Sequence, residues 1–194
     1  SNEKVYLEES GSLHDITPIR STVSLPNNPI TTASSGGVVT VTTSGAHGAS
    51  VGDYVTLASL TATDGITTAQ LNKEHEIASV PSTTTFTVDT GGTASSGSTA
   101  GGGSSGTAAF QISVGLNSTV LGAGWGAGTW GRFTWNSSVG SLAGQTLRLW
   151  FADDFGEDLI FNLNDGDIYF WDATNGTSTR AVLLSSLTGA SDVP

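Results

Sequence analysis

The sequence predicts an all-β protein: a four-stranded antiparallel blade, part of a β-propeller-like scaffold, with a small β-barrel or sandwich module inserted into the chain. Two observations support this prediction. Short runs rich in Val, Ile, Leu, Phe, Tyr and Trp alternate with turn residues along the chain. No window places apolar residues at the i, i+3, i+4, i+7 spacing of an amphipathic helix, and the 26 glycines favour long loops.

The densest group of apolar residues lies between residues 146 and 187 and predicts four successive strands. They are expected at residues 146–152, 158–164, 167–173 and 180–185. The second and third are apolar on both faces, as in strands that are buried on both sides. Asp165 and Gly166 separate these two strands, and an Asp-Gly pair between apolar runs indicates a type I′ hairpin with positive φ at both residues. Such a group forms one propeller blade or one sandwich meander.

The start of the chain is similar to the second half of this blade. Residues 4–19 and 167–184 each contain an aromatic strand, a polar turn with glycine, and a second strand with Asp15 or Arg180 near its start. Because blades are internal repeats, the match predicts that the chain leaves one blade for an insertion and returns for the next. The chain contains no methionine and starts at Ser1, so we expect it to be an excerpt of a longer protein.

The predicted organisation has five parts. Residues 1–20 form half a blade, and residues 21–90 form the inserted β module. Residues 91–109 are rich in Gly and Ser and hold no large side chain, which favours a flexible arm. Residues 110–145 contain a strand and a Gly/Trp loop, and residues 146–194 form the blade. The core predicted for the module comprises Val39, Val41, Tyr54, Val55, Leu57, Ile77, Val80, Phe86 and Val88.

Charge is sparse and acidic, with 17 Asp and Glu residues against 6 Lys and Arg residues and a net charge of −11. Binding to a phosphate backbone needs clustered Lys and Arg, so this balance argues against nucleic-acid binding. It permits a surface along which DNA passes without adhering. Cysteine is absent, which excludes disulfides and thiolate metal sites. No apolar run approaches the ~20 residues that span a bilayer, so no membrane insertion is predicted.

Three tryptophans lie in the Gly-rich segment 121–135: Trp125, Trp130 and Trp135. They are five residues apart, so no single helix or strand face carries all three. One hypothesis makes them anchors between subunits, because tryptophan is enriched at the energetic centres of interfaces. The alternative is that they pack on their own domain.

Seven carboxylates fall between residues 153 and 172. Close carboxylates can bind calcium, and the candidate ligands are Asp153, Asp154, Glu157 and Asp158. The EF-hand pattern fails, because Gly166 comes one residue too early after Asn162. The alternative, which we favour, is that these residues belong to solvated turns.

The sequence predicts no enzyme and no cofactor. The histidines His14, His47 and His75 lie in separate segments without the spacing of a metal site, and His47 is expected in a turn. No Gly-x-Ser-x-Gly motif is present. The glycine-rich segments lack the Gly-Lys-Ser/Thr of a phosphate loop.

Five segments together resemble structural proteins of bacteriophage tails, most of all the nozzle or tail-tube proteins of short-tailed phages. They are SLHDITPIR (12–20), AHGASVGDYVTL (46–57), LNKEHEIASVPSTTTFTV (71–88), GWGAGTWG (124–131) and LRLWFADDFGEDLIFN (147–162). The resemblance implies a virion component in a sixfold ring below the portal, through which DNA passes without specific binding. It also implies tail adaptor and fibre proteins as partners, and it brings no catalytic residues.

An alternative function is a tail fibre or receptor-binding module that recognises a glycan on the host cell surface. Aromatic side chains would stack on the sugar, and the candidates are Trp125, Trp130, Tyr169 and Trp171. Oligomeric state separates the two functions, because the resemblance implies sixfold rings for nozzles and trimers for fibres.

Overall fold

A computed structural model provides the structure of the protein. It describes residues 3–34, 36–97, 99–114, 118–120, 143–145, 149–164 and 166–189. Antiparallel strands dominate, in sheets of two, eight, two and four strands. The α-helix within the described residues, α1 (Thr68–Leu71), is a single turn. The predicted all-β class is therefore confirmed.

A two-stranded hairpin opens the described chain. β1 (Tyr6–Glu9) pairs with β2 (Ser12–Asp15) so that Glu9 lies opposite Ser12. Ser10 and Gly11 connect them with φ values of 53° and 85°, as the central residues of a type I′ turn require. The two strands expected within residues 1–20 are present, although the second ends at Asp15.

Residues 19–111 contain one eight-stranded sheet, and we call this part of the chain the module. Its strands are β3 (Ile19–Ser24), β4 (Ile30–Thr32), β5 (Val38–Thr42), β6 (Tyr54–Ala58), β7 (Glu74–Ser82), β8 (Thr85–Asp89), β9 (Ala100–Gly101) and β10 (Thr107–Gln111). Their order in the sheet is β3-β10-β6-β7-β8-β5-β4-β9. The long strand β7 pairs with β6 through its first residues and with β8 through the rest, so it belongs to both halves.

The eight-stranded sheet curls over its own apolar face. Strands β8 and β10 stand three places apart, which in a flat sheet would separate them by about 14 Å. The rings of Phe86 on β8 and Phe110 on β10 are nevertheless 5.5 Å apart. The curl encloses one core, in which seven of the nine predicted residues are buried. The two exceptions, Tyr54 and Val80, are partly exposed.

Two smaller sheets account for the other strands of the described residues. β11 (Ser118–Val120) pairs with β12 (Ala143–Gln145). The second sheet has the sequential order β13 (Trp150–Phe155), β14 (Asp158–Leu163), β15 (Ile168–Trp171) and β16 (Val182–Leu183). The predicted four-stranded antiparallel meander is thus confirmed. Its first strand lies further along the chain than expected, and its fourth is shorter.

The connection between β14 and β15 differs from the predicted type I′ turn. Asn162 lies opposite Ile168, so the connection is longer than two residues. Gly166 does not adopt a positive φ, and its amide donates to the Leu163 carbonyl over 2.8 Å. Asp165 lies outside the described residues. The expected dependence on a left-handed glycine at 166 is therefore wrong.

The four-stranded sheet packs one face against the N-terminal segment. Phe161, Tyr169 and Trp171 from the sheet are buried together with Ile16 and Ala181. The Ile16 amide donates to the Val5 carbonyl over 3.0 Å, and the Ala181 amide donates to the Ile16 carbonyl over 3.1 Å. The hairpin segment and the sheet therefore share a second core, separate from that of the module.

The Gly/Ser-rich run at 91–109, expected as a flexible arm, packs on the module instead. It contributes β9 and the start of β10, so the module extends to Gln111 and does not end at residue 90. A Cβ added to Gly97 would lie 2.3 Å from the Ser34 Cα, and one added to Gly101 would lie 2.4 Å from the Thr63 side chain. The lack of large side chains therefore allows close backbone approach, which composition alone does not distinguish from flexibility.

Asp64 fixes this run to the body of the module. Its carboxylate accepts hydrogen bonds from the Thr32 hydroxyl at 2.7 Å, the Ser96 hydroxyl at 2.7 Å, the Ser96 amide at 3.0 Å and the Gly97 amide at 2.8 Å. These bonds favour the ionised form and lower the pKa of Asp64 to about 2, with the Thr32 hydroxyl the largest cause. One carboxylate thus holds two segments that are about thirty residues away on either side.

Replacing Gly97 with Ala should destabilise the protein more than replacing Gly91 with Ala. Both glycines have positive φ, which costs an alanine roughly 1–2 kcal/mol. Only the Gly97 methyl would also meet backbone, because nothing lies within 4 Å of a Cβ at Gly91. Urea denaturation of both variants measures the difference. Wild-type stability in both would mean that the run is an unattached arm.

Replacing Asp64 with Asn should lower stability in a pH-dependent way. The pKa of Asp64 is about 2 in the folded protein and about 3.9 in an unfolded chain. The carboxylate therefore stabilises the fold above pH ~4, and this contribution disappears as the pH falls towards 2. The free energies of unfolding of wild type and variant should converge over that window. Glu157→Gln, at an exposed turn, serves as control, and parallel pH profiles would contradict the prediction.

Candidate functional site

Four charged side chains meet where the N-terminal segment, the module and the four-stranded sheet come together. Lys4 precedes β1 and Asp15 ends β2, so both come from the hairpin segment. Glu74 is the first residue of β7 in the module. Arg180 lies just before β16 of the four-stranded sheet. Strand ends position Asp15 and Glu74, whereas Lys4 and Arg180 each lie two residues before a strand.

The four side chains form a closed ring of ion pairs. Lys4 Nζ lies 3.4 Å from Asp15 Oδ2, and it also contacts the Glu74 carboxylate directly. Arg180 Nη1 lies 2.7 Å from Asp15 Oδ1, and its Nη2 lies 3.3 Å from Glu74 Oε2. Each cation therefore bridges both carboxylates, and each carboxylate bridges both cations. The ring is neutral as a whole, which limits the cost of removing its charges from water.

Neutral partners add hydrogen bonds and a cation–π contact to the ring. Arg180 Nη1 also donates to the Thr17 carbonyl over 3.1 Å, and the buried Gln111 amide donates to Glu74 Oε2. Lys4 Nζ lies 4.4 Å from the centre of the Tyr54 ring, a cation–π contact. The four charged side chains are between 12% and 25% exposed, so solvent screens them only in part.

Tyr54 extends this polar cluster from β6. Its hydroxyl donates to Glu3 Oε2 over 3.1 Å. Burial raises the pKa of Tyr54 to about 12, assisted by the hydrogen bond to Glu3 and by the nearby carboxylates of Glu3, Glu76 and Glu74. The phenol therefore stays neutral at physiological pH and acts as a hydrogen-bond donor.

The arrangement can hold three parts of the chain in register. The Lys4–Glu74 pair spans 70 positions of sequence, the Arg180–Glu74 pair 106 and the Arg180–Asp15 pair 165. Removing one member of such a ring leaves its partners with uncompensated, half-buried charge, which is more costly than losing an exposed pair. The four charged groups neutralise one another and hold the three parts of the chain in position.

Sequence reasoning did not single out this ring, although one signal pointed to two of its members. The repeat between residues 4–19 and 167–184 placed Asp15 and Arg180 at matching positions. The Arg180–Asp15 ion pair, at 2.7 Å, is shorter than the Arg180–Glu74 pair, at 3.3 Å. Lys4 and Glu74 carry no local motif, because their partnership depends on segments that only the fold brings together.

The predicted calcium ligands do not converge. Asp153 and Asp154 are adjacent on β13 and therefore point to opposite faces of the sheet. Glu157 lies in the exposed turn before β14, and Asp158 accepts a hydrogen bond from the Ala173 amide over 2.9 Å. Within the described residues, no three His, Cys, Asp or Glu side chains are grouped as a metal site would need. The four residues therefore form no ligand cluster within the described structure, and calcium binding by them stays a prediction.

The aromatic residues proposed for binding divide into two groups. Trp125, Trp130 and Trp135 lie outside the described residues, so their role as anchors stays a prediction. Tyr169 and Trp171 are buried in the second core, and the Trp171 indole donates to the Thr179 carbonyl over 3.0 Å. Neither ring presents a face to solvent, so these two residues are not a glycan-stacking surface.

Two histidines are buried, and the ring of His47, which was expected in a turn, lies in the module core. The His47 ring stacks on Phe110 and meets the edge of Phe86, at 5.6 and 5.4 Å between centroids. Its Nδ1 accepts from the Ala49 amide over 3.1 Å, and its Nε2 lies 3.3 Å from the Ser82 carbonyl. His75 has ring nitrogens 3.0 Å from the Leu71 carbonyl and 3.3 Å from the Asp89 carbonyl. Both histidine rings pack within the module.

Comparison with known proteins yields no relative: the chain matches no family model, no curated protein and no solved structure. Among the described residues there is also no helix with the length and apolar character needed to cross a membrane.

Replacing Glu74 with Gln should destabilise the protein by about 1–3 kcal/mol, between the values for exposed and for buried ion pairs. The change leaves Lys4 and Arg180 with Asp15 as their only carboxylate in the ring. Urea denaturation measures the loss, and added salt should reduce it. The matched control is Glu76→Gln, two residues along the same strand but exposed. Equal effects of the two changes would show that the ring does not stabilise the fold.

Proposed function

We propose that this protein is a structural component of a bacteriophage tail, in a nozzle or tail-tube ring through which DNA passes. The observation that carries the proposal is the closed ring of ion pairs, which joins the hairpin segment, the module and the four-stranded sheet. A protein that maintains the shape of an assembly needs its parts held in fixed positions. The resemblance of five sequence segments to phage tail proteins supports the same role.

In this proposal the four-stranded sheet is one blade of a β-propeller-like scaffold, and the β1–β2 hairpin is half of another. A blade buries its two faces only against its neighbours. The second core supports this arrangement, because the hairpin segment covers one face of the sheet around Ile16, Phe161 and Trp171. The module is then an insertion that the ion pairs attach to the scaffold.

The net charge of −11 fits a conduit for DNA. A wall of like charge repels the duplex and prevents adhesion, although salt screens this effect beyond about 10 Å. The proposed partners are further copies of the chain in a sixfold ring, with Trp125, Trp130 and Trp135 at the contacts. Tail adaptor and fibre proteins are the proposed neighbours. The proposal places the chain in the virion and assigns it no catalytic role and no cofactor.

Electron microscopy of the native particle tests the proposal. A short epitope inserted at the exposed Ser10–Gly11 turn would mark the chain without entering either core. We expect six copies of the label in a ring on the tail axis. The same epitope at an unrelated capsid protein controls for the labelling reagent. Three labels on an off-axis appendage would indicate a fibre. Particles without label would contradict the proposal that the chain is part of the tail.

A further inference from the structure

The four-stranded sheet has a second apolar face that no described segment of the chain covers. Side chains alternate along each strand, so the residues that do not enter the second core share the opposite side. We call this side the outer face. Its apolar members are Phe151, Phe155, Ile160, Ile168, Phe170 and Val182.

The outer face is continuous and open. Its cross-strand register places Asp153 opposite Ile160, Ile160 opposite Phe170, and Phe170 opposite Val182, so one row crosses all four strands. Phe151 is 53% exposed, Phe155 66% and Val182 42%. A shallow cavity of about 210 Å³ lies on this face. It is lined mainly by Phe151, Asp153, Ile160, Asn162 and Ile168, and it can receive a side chain from a partner.

Acidic groups border this apolar surface. Asp153 lies within the row, Asp158 lies opposite Phe155 on the same face, and Glu157 lies in the turn at the end of the hairpin. In the part of the chain that the structure describes, no Lys or Arg forms a salt bridge with any of these three carboxylates. A partner that brings positive charge would therefore meet unneutralised carboxylates beside the apolar surface.

A second copy of the same face is a poor partner, because it would bring like charges together. The described cations are also largely committed elsewhere. Lys4 and Arg180 belong to the ring of ion pairs, and Arg20 donates to the carbonyls of Gly48 and His47 at 2.7 and 3.0 Å. Of the described Lys and Arg residues, Lys73 alone makes no such contact, so a second copy would bring little positive charge to the outer face.

We propose that the outer face binds a β-structured segment of another protein, in which apolar side chains are flanked by Lys or Arg. The inference rests on the proposed structural role and names the chemistry of one neighbour in the assembly. The apolar row supplies buried area, and one side chain of the partner fills the cavity beside Phe151. The basic residues pair with Asp153 and its acidic neighbours, which sets the orientation of the segment and speeds its association.

Binding of designed peptides to the full chain tests this assignment. The probe is a ten-residue peptide that alternates Ile with Lys, and the matched control carries Glu in place of Lys. Fluorescence anisotropy at low salt should show at least tenfold tighter binding of the Lys peptide. A scrambled peptide of the same composition controls for general attraction to an acidic protein. Binding of the Lys peptide should weaken as salt is added.

Variants of the chain locate the site. Phe151→Ser and Asp153→Lys alter exposed residues of the outer face, and each should weaken binding of the Lys peptide about tenfold. Leu13→Ser is the control, because Leu13 is also an exposed apolar residue, at 68%, but lies on the hairpin. Phe155→Ser provides a second apolar test, and circular dichroism verifies that each variant is folded.

Three results would overturn the assignment. Equal affinity for the Lys and Glu peptides would exclude the charge complementarity. Unchanged binding in Phe151→Ser and Asp153→Lys would place the site elsewhere. Dimers of the wild-type chain that become monomers in Phe151→Ser, as measured by light scattering, would show that a second copy covers the face. None of these results bears on the position of the chain in the particle, which the epitope experiment decides separately.

Discussion

Mutual neutralisation of Lys4, Asp15, Glu74 and Arg180 is the constraint on which the arrangement of the molecule depends. The described residues form two separate apolar cores, one within the curled sheet of the module and one between the hairpin segment and the four-stranded sheet. Burial of apolar surface stabilises each core but gives little direction to their contact. Ion pairs and hydrogen bonds have defined geometry, and removing the partner of a partly buried charge destabilises the fold. The ring therefore specifies how the two units meet.

Within the module, one long strand and one glycine-rich run make a single core possible. β7 pairs with β6 at its start and with β8 at its end, so the sheet turns where the pairing changes. The run from residue 91 to β10 covers the outside of the module core. Asp64 holds this run in place, because its carboxylate accepts hydrogen bonds from Thr32, Ser96 and Gly97. Glycine at 97 and 101 permits this approach, because any side chain would meet Ser34 or Thr63.

The two faces of the four-stranded sheet differ in their exposure to solvent. Its inner face is buried against Ile16 and Ala181, whereas Phe151, Phe155 and Val182 on the outer face remain exposed. Contiguous exposed apolar surface on a protein commonly marks an interaction site. The proposed tail function gives this surface a use, since a β-structured segment of a neighbouring protein in the assembly would cover it. The acidic border then selects among possible neighbours by their charge.

The sequence by itself determined the strand pattern of the chain. Alternating apolar runs predicted the all-β class, the meander and seven buried residues of the module, because strand formation and side-chain alternation depend on nearby residues. Tertiary structure alone decided the rest. Composition alone predicts that the Gly/Ser run is flexible. The fold places Ser34, Thr63 and Asp64 beside this run, and these contacts hold it on the module. Gly166 does not adopt a left-handed conformation, because the connection between β14 and β15 is longer than two residues. The ion-pair ring joins residues up to 165 positions apart, and no local pattern encodes a contact between segments that meet only through folding.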